Sequence, residues 1–209
     1  MNEITYREIK LEDADELAEI VGEFWHKNKP EKFRHEYGIV DLAHYMCRVT
    51  FAEVAVMDNK LVGIIAVAAE NDKTSKFKEP WEKILNQYIK KLQETDVQGF
   101  NAALEYAEAE GKVNDQMIKK AWQGQENELV FLIIKAETRG KGIGSAMWKH
   151  ANDYFASVGV KKAFFYTDST CDWQYYEHRG MKRLAETTYE QHKQTCLPDR
   201  MFLYEYEVE

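Results

Sequence analysis

The chain has 209 residues, 44% of them hydrophobic and only three of them proline, which supports one packed domain and excludes a disordered or low-complexity protein. Its formal net charge of −8 disfavours a nucleic-acid surface, which needs clustered Lys and Arg, and suits a cationic partner instead. No run of 18 apolar residues predicts a membrane span, Met1-Asn-Glu-Ile lacks a signal-peptide core, and the widely spaced Cys47, Cys171 and Cys196 point to a reducing cytoplasm rather than a disulfide framework or a zinc site.

In chain order, Ile4 to Ile9 alternates as a strand does. Asp13-Ala-Asp-Glu16 reads as a capping box with Asp in place of Ser or Thr, opening a helix through Leu17, Ile20, Val21 and Phe24. Pro30 suits the start of a second helix, which carries Phe33, Tyr37, Val40, Ala43 and Met46. Glu53–Met57 and Leu61–Val67 flank Asp58-Asn-Lys60, a β-hairpin. Residues 71–127 then change character. A polar loop over 73–79 precedes a clear amphipathic stripe at Trp81, Ile84, Leu85, Tyr88, Ile89 and Leu92. A second stripe runs through Phe100, Ala103, Leu104 and Ala107, and Gly111 is expected to break it before a third at Met117, Ile118, Ala121 and Trp122. The segment reads as a helical insertion between the third and fourth strands. It is either a hairpin packed on the domain or on a second copy in a homodimer, or a cap over a substrate cleft.

Glu128-Leu-Val-Phe-Leu-Ile-Ile-Lys135 is a buried strand, and Arg139-Gly-Lys-Gly-Ile-Gly144 follows it and opens a helix. A glycine-rich helix start is an anion site, because its free N–H groups point outward and no Cβ bars a phosphate. The P-loop pattern fails, since Ser145 and not Lys follows Gly144. The dinucleotide pattern G-x-G-x-x-G is not met by these glycines, although Asp168 stands at roughly the distance of a ribose-binding acid and keeps an oxidoreductase as the alternative. After the helix (Ile143, Met147, Ala151, Tyr154, Phe155, Val158), Lys161–Thr167 is a strand, parallel to the fourth by a right-handed crossover. A short helix over Cys171–Arg179 ends at Gly180, and 182–189 with 201–208 form a closing antiparallel pair, with Phe202, Tyr204, Tyr206 and Val208 on one face.

Arg139-x-x-Gly142-x-Gly144, with Trp173-Gln-Tyr-Tyr176-Glu-His-Arg-Gly180-Met181 one helix and one strand later, resembles the acetyl-CoA loop and the tyrosine segment of the GNAT superfamily of N-acetyltransferases. Met181 stands where the family usually has Phe. The resemblance covers residues 128–183 well, the first 70 residues in outline and 71–127 not at all. It implies an α/β (α+β) fold: a mixed, mostly antiparallel sheet of six to seven strands with a parallel, splayed central pair, flanked by helices, in a single domain over 1–209 that carries the 71–127 insertion. It also implies an N-acetyltransferase moving acetyl from acetyl-CoA to a primary amine in a ternary complex, without a metal. A non-catalytic acyl-CoA sensor of the same fold is a further alternative.

Carried over residue by residue, the backbone N–H groups of Arg139, Gly140, Lys141, Gly142, Ile143 and Gly144, with Ser145, would hold the pyrophosphate. The main chain at Leu132, Ile133 and Ile134 would pair with the pantetheine, while their side chains read as core. Ser169 stands where the family often has a cofactor-contacting Asn, and Asp168, Thr170 and Asp172 read equally as caps of the short helix. Tyr176, four residues before Gly180, is the expected general acid toward the leaving thiolate. Glu128, eleven residues before Arg139, is a candidate base, acting directly or through water. The six histidines show no metal-ligand spacing.

Overall fold

A computed structural model describes residues 3–73, 76–124 and 126–208. Its elements run β1 (Ile4–Glu8), α1 (Ala14–Trp25), α2 (Glu31–Met46), β2 (Phe51–Met57), β3 (Lys60–Ala68), α3 (Lys78–Thr95), α4 (Val97–Ala121), β4 (Glu128–Ile134), α5 (Ile143–Ser157), β5 (Lys162–Asp168), α6 (Trp173–His178), β6 (Lys182–Thr188), α7 (Tyr189–His192) and β7 (Arg200–Glu207). The seven strands form one sheet in the order β1-β2-β3-β4-β5-β7-β6, and every neighbouring pair is antiparallel except β4 and β5. The β2–β3 hairpin turns on Asp58 and Asn59, both in the left-handed region (φ 53° and 59°), as a two-residue turn between twisted strands requires. Among the described residues, no helix is long and apolar enough to cross a membrane.

Apolar side chains cover both faces of the sheet. On one face, α1 and α2 bury Leu17, Ile20, Leu42 and Met46 against Val54, Ile64, Phe131 and Ile133. On the other, α5 buries Met147, Ala151 and Phe155 against Ile65, Leu129, Phe165, Phe202 and Tyr204. The alternation expected of the last strand therefore holds: Phe202, Tyr204 and Tyr206 face α5, while Met201 and Leu203 face α4. Helices α1 and α2 meet backbone to backbone, because a Cβ at Gly38 would run into the Ala18 carbonyl and one at Gly22 would lie 2.5 Å from the Arg34 carbonyl oxygen.

Two local expectations change. Asp13 does not cap α1 with its side chain. Its carboxylate instead accepts the Lys10 N–H at 2.7 Å and both terminal nitrogens of Arg7 at 2.7 Å, a charged pair outcompeting a neutral cap. Glu16, the other end of that expected box, accepts the Leu61 N–H at 2.7 Å and so ties α1 to β3. Nor does Gly111 break a helix: α4 runs through it for 25 residues. One exposed glycine costs a helix about 1 kcal/mol, and the flanking Ala109, Val113 and Met117 are buried on one face, which outweighs it. The insertion is thus two helices, not three. Its polar loop was expected over 73–79. Residues 74 and 75 of it lie outside those described, and α3 opens at Lys78.

The α3 stripe packs on α2 of the same chain, with Trp81 and Leu92 fully buried, so it needs no second copy to cover it. Asp96 caps α4 by accepting the Gly99 N–H and also accepts the Tyr37 hydroxyl at 2.9 Å, fastening the α3–α4 joint to α2. From that joint α4 crosses over β6 and β7, where Val113 and Met117 pack with Phe164, Met201 and Leu203.

Candidate active site

Strands β4 and β5 pair only at Glu128↔Phe164, with Phe164 N–H donating to the Asn127 carbonyl at 2.9 Å. Beyond that point they diverge, and β4 keeps a free edge. Lys135 N–H donates to Val62 of β3 at 2.8 Å, so by the alternation of an antiparallel ladder Ile133 and Phe131 also turn their backbone groups to β3. Leu132 and Ile134 therefore present N–H and C=O to the gap. Ile133 does not: its main chain pairs with β3 and its side chain lies in the core on the α1–α2 face.

The 3₁₀ turn Ala136–Thr138 carries the chain from β4 to the glycine loop beside this gap. Gly140 and Gly142 have φ of 77° and 80°, and Gly142 is the residue from which α5 starts. A Cβ at either would meet nothing within 4 Å, so the left-handed conformation rather than crowding demands glycine there. Among the described residues, the backbone N–H groups of Gly140 through Ser145 donate to no protein acceptor. They point outward at the positive end of a 15-residue helix, a geometry suited to an anion. The Ile143 side chain is buried beneath it, and Arg139 leaves the loop to lie over the Phe24 ring.

On the other side of the gap, α6 ends in a Schellman motif: Gly180 N–H donates to Glu177 and Met181 N–H to Tyr176. Gly180 takes φ 77°, and Met181 and Tyr176 pack together on the α5-side core. This lock sets the Tyr176 ring 4.5 Å from Phe165 and 6.2 Å from Tyr204, centroid to centroid. Among the described residues its hydroxyl has no hydrogen-bond partner, and burial pushes its pKa up, so it stays protonated at neutral pH. Tyr175, next to it, is engaged: Arg179 donates to its hydroxyl at 2.9 Å and to Ser145 Oγ at 3.4 Å, joining α6 to the first turn of α5. Ser169 continues the β5–β7 ladder, and its hydroxyl accepts the Arg200 N–H at 3.3 Å. Asp168 caps the following turn through Thr170, while Asp172 precedes α6 without a side-chain cap.

The opposite face of the gap is acidic and aromatic. Glu128 is nearly buried and held by both terminal nitrogens of Arg48, one at 3.0 Å to Oε1. Arg48, just past α2, also lies over the Tyr45 ring. Tyr45 and Trp25 pack on Phe131 of β4 with centroids at 5.0 and 5.4 Å. Helix α4 brings Tyr106 and Glu110 to the same space, and one turn on the Asn114 carbonyl accepts the Tyr166 hydroxyl of β5 at 3.5 Å. Burial pushes the Glu110 carboxyl up to about 7, reinforced by Asp41 and Asp168 and opposed by the Tyr106 hydroxyl bond and Arg48. Two shallow surface cavities lie elsewhere, around Trp122, Gly124 and Lys162 at the start of β5.

A family model for the acetyltransferase (GNAT) family matches residues 14–181. The chain belongs to that family. No curated protein matches its sequence. Its fold is shared by a GNAT-family acetyltransferase from Streptococcus pneumoniae (TM-score 0.52, 11% identity, 99% of this chain and 100% of that one). The ribosomal-protein alanine N-acetyltransferase of Escherichia coli is similar too (0.52, 9%, covering 99% and 95%), as is an agmatine N-acetyltransferase (0.55, 11%, 98% and 99%).

In this GNAT chain the residues singled out from sequence fall on two sides of one gap: the loop 139–145 and Tyr176 toward α5, Glu128 toward α2 and α4. Reading the sequence missed Arg48, which occupies Glu128, and Arg179, which occupies Tyr175. It grouped Glu110 with Glu105 and Glu108 as exposed acids of the insertion that would attract a cationic acceptor, whereas Glu110 is half-buried and set apart from the other two. A signal was present: Tyr106, Glu110, Val113 and Met117 fall on one helical face, so Glu110 is an acid set in an apolar stripe.

Proposed function

We propose that this acetyltransferase-family chain moves the acetyl group of acetyl-CoA to a primary amine, directly and within a ternary complex in the cytoplasm. The observation that carries the reading is the unpartnered N–H cradle of Gly140–Ser145 beside the β4–β5 gap, with Arg179 linking Ser145 to the helix that carries the unengaged Tyr176 hydroxyl. The cradle suits a pyrophosphate. The free groups of Leu132 and Ile134 suit the amides of an extended pantetheine, whose thioester would then lie between the strands. Tyr176 donates its proton to the departing thiolate. The acceptor enters from the α2–α4 face, where Asp41, Glu110 and Asp168 favour a cation and Trp25 and Tyr45 offer aromatic faces. Glu128, paired with Arg48, holds the tail of α2 to the sheet and is poorly placed to accept a proton.

Thiol release from acetyl-CoA, screened against amino acids, polyamines, aminoglycosides and peptide amines, tests the activity. Calorimetric titration with acetyl-CoA, NAD and ATP tests the cradle. Turnover with an amine and preferential acetyl-CoA binding are expected. Tight acetyl-CoA binding without turnover would leave an acyl-CoA sensor, and tighter NAD binding would return the loop to a dinucleotide.

A further inference from the structure

The proposed reaction needs a group that takes a proton from the acceptor, because an ammonium has no lone pair with which to attack. We propose that Glu110, carried by α4 of the 71–127 insertion, is that group. The inference rests on the acetyl-transfer reading above and adds to it the residue that activates the amine.

Position argues for it. Ala109, Val113 and Met117 fix that face of α4 on Phe164 and Leu203, and the Tyr166–Asn114 bond fixes the turn after Glu110 to β5. The groups acting on Glu110 come from α2 (Asp41 and Tyr45), Arg48 just past it, Asp168 at the end of β5, and Tyr106 one turn earlier on α4. Glu110 thus looks into the space over the splayed strands, on the face opposite the glycine loop.

Pairing argues for it too. Among the described residues Glu110 forms no ion pair, and Arg48, the guanidinium that acts on it, spends both terminal nitrogens on Glu128. Asp41 is held by His26 at 2.7 Å, and Asp168 accepts the Thr170 N–H and hydroxyl. Glu110 therefore has the Tyr106 hydroxyl but no charged partner of its own, and an incoming ammonium supplies one. A carboxyl that titrates near neutrality has the basicity to receive a proton and to release it again at pH 7.

An ammonium N–H bond breaks and the proton passes to a Glu110 oxygen. The freed lone pair forms the C–N bond at the thioester carbonyl and the C–S bond breaks. The thiolate takes the Tyr176 proton, the amide nitrogen's surplus proton restores the tyrosine through solvent, and Glu110 releases its proton to water. Ammonium and thioester together yield an N-acetyl amide, the free thiol and one proton in solution, with Glu110 and Tyr176 returned to their starting states.

The test uses the full chain, acetyl-CoA and an amine that the screen identifies. For wild type, kcat/KM should fall tenfold per pH unit below about 7 and level off above it. In Glu110→Gln, which keeps the side chain's size, kcat at pH 7 should drop by roughly 10²–10⁴-fold. Its profile should lose the break and climb steadily toward the acceptor's own pKa. Unchanged calorimetric affinity for acetyl-CoA and an undiminished melting temperature establish that the variant is folded. Glu128→Gln, treated in parallel, should keep the break. A break that persists in Glu110→Gln, or one that disappears in Glu128→Gln instead, overturns the assignment while leaving acetyl transfer intact. A wild type that turns over no amine overturns both.

Discussion

Tyr175 and Tyr176 are neighbours with opposite fates, and the difference lies in what each hydroxyl touches. Arg179 holds the first, and nothing among the described residues holds the second. Tyr176→Phe keeps the packing on Phe165, so acetyl-CoA affinity should stay while kcat falls by roughly 10²–10⁴-fold, measured where chemistry limits the rate. Glu110 makes a second prediction, this one on stability. Its carboxyl titrates near 7 when folded and near 4.5 when unfolded, so the fold favours the neutral form. Between those values the folded chain binds the extra proton. The side chain is therefore least costly below about 4.5, and its penalty grows as pH rises, complete above 7. Glu110→Gln removes the penalty. It should raise the melting temperature at pH 8, by up to about 3 kcal/mol of stability, and leave it almost unchanged at pH 4, read by thermal melts at both values. A gain in stability bought with a loss of turnover is the signature of a functional carboxyl. The helical spacing of Tyr106, Glu110, Val113 and Met117 marks Glu110 in the sequence, but its raised pKa could not be read there, because Asp41 and Asp168, which reinforce it, are far away along the chain.

The elements that local chemistry dictates were the legible ones. Strand β4, the glycine loop and α5 follow from an apolar run, three glycines and a 3.6-residue stripe within about one turn of each other. The α6 terminus follows from Gly180. The insertion was legible only in part, because Gly111 is a local signal that burial of Val113 and Met117 overrides. For the loop, Gly142→Ala should lower stability by about 1–2 kcal/mol, since φ 80° strains any residue with a Cβ. It should also weaken acetyl-CoA binding, which calorimetry and denaturant melts separate. For α3, Trp81→Ala should cost about 3–5 kcal/mol, the range for an emptied aromatic site. Because that side chain is buried within its own chain, the loss should appear without dissociation of any oligomer in sedimentation. Glu105 and Glu108 point to solvent on the outer side of α4, and Gln at both should leave the kinetics as they were.

At the scale of the molecule, the divergence of β4 from β5 was expected only through the family resemblance and not from the strand patterns themselves, because it is a pairing that does not form between strands that are each well made. Both strand patterns and the parallel connection were readable, and the antiparallel closing pair as well. The acceptor face was not, since it is assembled from the end of α2, the middle of α4 and the tip of β5. The divergence has a further consequence. One bridge, Glu128↔Phe164, joins a four-stranded half-sheet to a three-stranded one, and the side chains of α5 on one face and of α4 on the other supply most of the remaining connection. Hydrogen exchange should therefore resolve two blocs with a soft seam, where the amides of Leu132 and Ile134 exchange early although they sit in the centre of the sheet. A ligand that bonds to that edge acts as the missing rung between the blocs. Acetyl-CoA at a hundred times its Kd should add about 2.7 kcal/mol of stability, and it should slow exchange at those two amides before any other, so that the cofactor completes the sheet on which it reacts.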